Sequence, residues 1–296
     1  MTPASPFGRV VTAMVSPMRP DGSLDLDAAQ RVARHLLDHG HDGIVVNGTT
    51  GESPTTTDQE KVELIRAVVE AVGDRVRVTA GAGTNNTAHS VELARAAEEA
   101  GAHALLVVAP YYNKPPQEGV RAHCSAIADA TDLPVMLYDI PGRSGIPFTT
   151  ESLIELARHP RIAAVKDANG DLWAATKVMA ETDLLWFSGD DVISLAHLAQ
   201  GAVGVVSVVG HVAGNHYAEM IASVDKGDLP RAQELHRQLV PAVDAIMNIT
   251  QGAIMAKAAL KEVGVLDSAA VRLPLIEATP DQTAAVRRGL TASGLM

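Results

Sequence analysis

Arg161-Ile162-Ala163-Ala164-Val165-Lys166-Asp167-Ala168-Asn169-Gly170 is an apolar run of strand length that ends in a lysine and a glycine turn. An ammonium group at the end of a buried strand is costly if it stays charged and unpartnered, so it must be paired, neutralised or used. A structural ion pair with Asp167 or another carboxylate is the plain alternative to a chemical role. The rest of the chain separates the two readings.

Before this strand lie a helix-period segment, Glu151 to Arg158, the loop Ile140-Pro141-Gly142-Arg143-Ser144-Gly145, and a strand, Val135 to Asp139. After it come a helix, Leu172 to Glu181, a strand, Leu184 to Ser188, running into Gly189-Asp190-Asp191, a helix, Ile193 to Gln200, and a strand, Val203 to Val208. The alternation runs back toward the N-terminus through strands Val10 to Val15, Gly43 to Asn47, Val76 to Ala80 and Ala104 to Ala109. Their intervening helices are Asp25 to His39, one lined by Val62, Ile65, Val69 and Val72, then Thr87 to Ala100 and Gln117 to Ala130. Short β-branched strands alternating with helices signal βα units around a parallel sheet. Eight such units predict a (β/α)8 TIM barrel over residues 1–226, as one domain. An open doubly wound sheet fits less well, because the first βα turn lacks a glycine-rich phosphate fingerprint. Beyond Gly227 the strand signals stop. Pro230 to Met247, Ile254 to Val263 and Pro280 to Leu290 predict a C-terminal helical appendix over residues 227–296.

Of the 296 residues, 47% are hydrophobic, enough to bury a large core, and no stretch reads as disordered. The 24 basic against 35 acidic side chains give a formal charge of −11, and the basic ones are scattered, which argues against nucleic acid or an anionic membrane as partner. Cys124 is the single cysteine, so no intramolecular disulfide can form. Met1 to Arg9 has neither the charged start nor the apolar run of a secretory signal, and no apolar run approaches the ~20 residues of a membrane span. The expectation is a cytoplasmic protein.

In such a barrel chemistry sits at the carboxyl ends of the strands. Lys166 falls there, as do Thr49 and Thr50 after strand two, Tyr111 and Tyr112 after strand four, Tyr138 in strand five with Arg143 beyond it, and Asp190 and Asp191 after strand seven. A lysine flanked by alanine and valine in a site poor in water should have a lowered pKa, and its free amine would attack a ketone. Tyr138 can pass protons to and from the carbinolamine, the Gly48-Thr49-Thr50-Gly51 turn can hold a carboxylate, and Arg143 can grip a second one. The bland readings are a helix cap for Thr49 to Ser53, a core aromatic for Tyr138 and a solvated Arg143. Individually these suffice, but they leave the clustering unexplained. Asp190 and Asp191 precede a helix and read as N-terminal caps rather than metal ligands. His35, His39 and His41 near a helix end read as cationic partners of its dipole. Cys124 and His211 have no partner nameable from sequence.

Five ordered motifs then resemble the dihydrodipicolinate synthase / N-acetylneuraminate lyase family over nearly the whole chain. They are Gly48-Thr49-Thr50-Gly51-Glu52-Ser53, Pro110-Tyr111-Tyr112-Asn113-Lys114-Pro115, Tyr138-Asp139-Ile140-Pro141-Gly142-Arg143-Ser144-Gly145, Val165-Lys166-Asp167-Ala168 and Ser188-Gly189-Asp190-Asp191. The resemblance implies a lyase-class enzyme with a Schiff base between Lys166 and pyruvate, and no cofactor or metal. It implies a proton relay of Thr50, Tyr138 and a Tyr112 from a neighbouring subunit, with Thr49 and Thr50 seating the pyruvate carboxylate. Val206 and Gly189 complete the substrate-binding set, and the assembly implied is a homotetramer, a dimer of dimers.

Arg143 bears on the second substrate, because family lyases of sialic acid resemble this loop but lack the arginine. It favours aspartate semialdehyde, whose carboxylate it can grip, and hence a synthase of lysine and diaminopimelate biosynthesis. A pyruvate-releasing aldolase of a sugar acid is the alternative, and a non-catalytic barrel that binds an oxo acid a third reading. Two departures stand out: Pro116 where a serine is common, and Gln251-Gly252-Ala253-Ile254 in place of a proline-rich stretch. In lysine-inhibited relatives an interface pocket uses two imidazoles, an asparagine, a tyrosine and a glutamate. Here Asn85 and Tyr111 match, but Asp58 and Lys61 replace the imidazoles and His89 the glutamate, so repulsion by the Lys61 ammonium is expected to weaken binding of lysine.

Overall fold

Eight parallel strands pair in sequence order and close, the last on the first, in the computed structural model, which describes residues 5–296. They are β1 Val10–Ala13, β2 Gly43–Val46, β3 Arg77–Gly81, β4 Ala104–Val108, β5 Val135–Asp139, β6 Ile162–Asp167, β7 Leu185–Ser188 and β8 Gly204–Ser207. The start of the Met1 to Arg9 segment lies outside the described residues. Helices α1 Leu26–Asp38, α2 Asp58–Val72, α3 Thr87–Glu99, α4 Gln117–Ala128, α5 Pro141–Ser144, α6 Thr150–Leu156, α7 Leu172–Glu181 and α8 Ser194–Gln200 connect them. After β8 come α9 Gly210–Asp225, α10 Leu229–Met247, α11 Gly252–Glu262 and α12 Pro280–Ala292. The (β/α)8 barrel read from the strand and helix periods is the fold. No single helix among the described residues is long and apolar enough to cross a membrane.

Side chains alternate across each strand, so every strand feeds two cores. The interior is filled by Val11, Val45, Leu106, Met136, Phe187, Val206 and their neighbours, with Phe7 set edge-on to Phe187. The outward set packs beneath the helices, and this outer cluster continues without a break into Leu235, Leu239, Met255, Leu260 and Leu290 of the C-terminal helices. The register aligns Tyr138 with Lys166 and Lys166 with Phe187. Because Tyr138 and Phe187 belong to the interior, Lys166 points into the barrel and Asp167 away from it.

Local chemistry sets the helix starts. Thr57 and Glu60 form a reciprocal capping box on α2, while Asp25, Asn86 and Asp171 cap α1, α3 and α7. Two helices differ from the sequence reading. The loop holding Arg143 winds into α5, and the residues after Gly210, left unassigned, form α9. Its glycines look like breakers but serve close packing: a Cβ on Gly210 would lie 2.2 Å from Thr12 Oγ1, and one on Gly214 2.3 Å from His39 O.

The expected cationic role of the α1 histidines fails at His41. Its ring is buried between the Leu36 carbonyl, 2.8 Å from Nδ1, and the Thr12 hydroxyl, 2.7 Å from Nε2, and burial pushes its pKa down to about 3. His35 is lowered for the same reason and donates to His211 O. His211 itself accepts from Val15 N at 3.0 Å and donates to Val208 O at 2.7 Å, joining the end of β1 to the end of β8. These rings are neutral hydrogen-bonding struts.

Candidate active site

A cavity of about 370 Å³ opens at the carboxyl ends of the strands, with Thr49, Tyr111, Tyr138, Ile140 and Arg143 on its wall. Lys166, Thr50, Gly189 and Val206 lie off that wall and are all deeply packed apart from Gly189.

Lys166 is only 4% exposed, and its Nζ sits 4.0 Å from the centroid of the Tyr138 ring. Burial pushes its pKa down to about 7, against an upward pull from Asp191 and with a further downward push from Arg143. Asp167 is not its ion-pair partner. Its Oδ1 accepts from Asn169 N at 2.8 Å and its Oδ2 from Trp186 Nε1 at 3.2 Å, both outside the barrel. Strand alternation therefore disposes of the simplest structural explanation for the lysine. Gly189 makes room for it: a Cβ there would lie 2.7 Å from Lys166 Cγ.

Tyr138 is buried, and loss of solvation raises the pKa of its phenol, which stays protonated and able to donate. Among the described residues no hydrogen bond joins Thr50 to Tyr138; such contacts often tighten only around a bound reactant. The Thr49-Thr50 turn is held between two left-handed residues, Asn47 at φ 57° and Glu52 at φ 54°. Asn47 donates to Lys61 O at 3.1 Å, and Ser16 donates to Gly51 O at 2.7 Å. Arg143 lies in α5, a turn buttressed where Ser144 donates to Ile146 O at 2.7 Å and Phe148 N to Asp139 at 3.1 Å.

Tyr112 does not enter this chain's own site. It is 87% exposed with its backbone at φ 75°, a region costly for a side chain of this size.

The aspartate pair after β7 divides. Asp190 caps the following turn, accepting from Val192 N at 3.0 Å, as expected of both. Asp191 instead is buried and accepts from Val208 N at 2.9 Å, Val209 N at 3.2 Å, Tyr217 Oη at 2.6 Å and the Ser207 hydroxyl. It ties β7 to the end of β8 and, through Tyr217, to α9, partners that lie 16 to 26 residues further along the chain. Sequence reasoning also missed Asp139, raised to about 6 by burial, which joins the Arg143 loop to Asn169 at 3.0 Å. The missed Glu52–Lys257 pair was signalled only by a lone lysine inside the apolar run Gly252 to Leu260.

A lysine with a depressed pKa beside a protonated phenol, with a hydroxyl-bearing turn and an arginine at one cavity, defines a barrel enzyme of the lysine-imine class. A sequence model of the Dihydrodipicolinate synthetase family matches residues 6–293, and the chain belongs to that family. The 4-hydroxy-tetrahydrodipicolinate synthase of Kineococcus radiotolerans is 59% identical, covering 99% of this chain and 95% of its own. The 4-hydroxy-tetrahydrodipicolinate synthase 2 of Streptomyces coelicolor is 57% identical, covering 99% and 98%. Among solved structures, the synthase of Cyanidioschyzon merolae with lysine bound superposes with a TM-score of 0.96 at 41% identity, covering 99% of this chain and 100% of that one.

The lowered pKa of Lys166 sets the direction of a pH profile, because the neutral amine gains population as pH rises through about 7. The rate of capture of a small keto acid, trapped on Lys166 by borohydride, should climb about tenfold per pH unit below that point and level off above it. A climb continuing to pH 10 would show an ordinary, solvated lysine.

Proposed function

We propose that this chain is a 4-hydroxy-tetrahydrodipicolinate synthase that condenses pyruvate with L-aspartate 4-semialdehyde in lysine and diaminopimelate biosynthesis. The observation that carries the reading is the Lys166 amine on the Tyr138 ring, with no ion-pair partner among the described residues, next to a cavity whose wall holds Arg143. The names of relatives sharing more than half of its residues support the synthase over the sugar-acid aldolase.

Neutral Lys166 attacks the keto carbon of pyruvate, whose carboxylate is seated by Thr49 and Thr50. Tyr138 passes a proton to the carbinolamine oxygen, water leaves and the imine forms. Loss of a methyl proton gives an enamine whose carbon attacks the aldehyde, the new alkoxide taking a proton. The amino group of the second substrate then adds to the imine carbon and expels Lys166, closing the ring. Arg143 grips the semialdehyde carboxylate, and Gly189 and Val206 shape the space around the lysine. The imine is the electron sink, so the cycle calls on no cofactor. The reading includes a cytoplasmic homotetramer, a dimer of dimers in which Tyr112 completes the relay of a neighbouring site. The exposure and left-handed backbone of Tyr112 support that last element.

Arg143→Ala should weaken use of the semialdehyde far more than imine formation with pyruvate. Loss of a charge-assisted bidentate contact is worth about 2–4 kcal/mol, or roughly 30- to 1,000-fold in kcat/KM for the aldehyde. Equal losses in both half-reactions, measured by borohydride trapping and by steady-state assay, would contradict the assignment.

Mixing inactive Tyr112→Phe with inactive Lys166→Ala should regenerate some intact sites if Tyr112 acts in trans. Absence of recovered activity after verified subunit exchange would return Tyr112 to its own subunit.

The pocket that departs from lysine-inhibited relatives is internally paired in a way the sequence did not disclose. His89 lies 2.9 Å from Asp58, while Lys61, rather than standing as a free cation, is buried and donates to Thr56 O at 2.6 Å. An incoming amino acid must break these contacts, so the expectation of weak feedback stands on self-pairing more than on repulsion. Half-inhibition should require more than about 1 mM lysine, equivalent to binding weaker than about −4 kcal/mol. A dose–response curve with a midpoint well below that would sink the argument.

A further inference from the structure

We propose that Lys257 of α11 and Arg272 beyond it are positioning residues for the Thr49-Thr50 turn, so that the C-terminal segment forms the rear wall of the carboxylate seat. The proposal rests on the reading that this turn seats the keto acid. Glu52, two residues after Thr50, is 2% exposed and held in the left-handed region. Both its carboxylate oxygens are taken by the C-terminal segment: Lys257 Nζ donates to Oε1 at 2.5 Å and Arg272 N to Oε2 at 2.9 Å. Lys257 is itself fully buried and gives a second hydrogen bond to Ala270 O at 2.7 Å.

Arg272 secures the far side of the same turn. Its guanidinium bonds Glu60 through two nitrogens, at 2.5 and 2.8 Å, and also donates to Thr55 O at 2.8 Å and Gly22 O at 2.8 Å. Glu60 is the residue that closes the capping box of α2, so turn and helix start are gripped together. The carboxylate seat thus has Asn47 on its barrel side and a buried salt bridge from a distant part of the chain on the other. Removing one member of a buried pair leaves the other charge without compensation, and the backbone that carries it must move toward water. Here that backbone is two residues from Thr50.

Lys257→Met keeps the length of the stem and removes the charge. Expected in the folded variant are faster amide exchange in the peptide spanning residues 47–55 and a pyruvate KM raised roughly 10- to 100-fold, with the semialdehyde KM little changed. Glu52→Gln combined with Lys257→Met, which removes both charges, should recover much of each loss. Exchange and pyruvate KM both at wild-type levels would overturn the proposal. So would a lowered Tm, or faster exchange, with pyruvate KM unchanged, since that is a purely structural pair. If Lys257→Met does not fold, Arg272→Lys, at a partly exposed side chain, should show smaller rises in both readouts, and no change in either overturns the proposal. Failure of the wild-type protein to trap pyruvate would instead overturn the functional reading, and the exchange measurement would still decide whether the clasp holds the turn.

Discussion

The arrangement depends on one buried amine with no carboxylate at ion-pair distance among the described residues. Lys166 reaches the barrel interior because its strand places it level with Tyr138 and Phe187, and the same alternation sends Asp167 outward. Desolvation then outweighs the upward pull of Asp191, and the amine approaches neutrality near pH 7. The surroundings conform to it: a glycine where a Cβ would strike its stem, and an aromatic face where a partner would sit.

Three buried lysines among the described residues meet the same penalty in three ways. Lys257 is paired with Glu52 and a carbonyl. Lys61 donates a hydrogen bond to the Thr56 carbonyl with Asp58 3.8 Å away, and its pKa is lowered by burial. Lys166 instead lies over a phenol ring at the carboxyl end of the barrel. The contrast separates structural from chemical use better than burial does, since all three are below a tenth exposed.

Carboxylates at the strand ends perform the complementary task. Asp139 and Asp167 end strands five and six and Asp191 follows strand seven; they accept from Asn169 Nδ2, Asn169 N and Val208 N, each in a segment that follows a strand. Short strands fix directions but leave the loops beyond them free. Anionic acceptors facing backbone N–H groups remove that freedom, and so hold Arg143 and Gly189 where the cavity needs them.

Periodicity by itself determined the eight-stranded barrel and set Lys166, Tyr138, Arg143 and the threonine turn at or beyond strand ends, because strand alternation and strand-end position are local properties of the chain. Local signals misled where glycines serve packing, as in α9, and where a histidine near a helix end is buried and neutral, as at His41. Only the tertiary structure decided what each polar group faces. The Glu52–Lys257 contact joins residues 205 positions apart, and Asp191 meets Tyr217 across 26. No periodic pattern encodes such pairs, since their energy comes from shared exclusion of water, and that exists only once the distant segments have packed together.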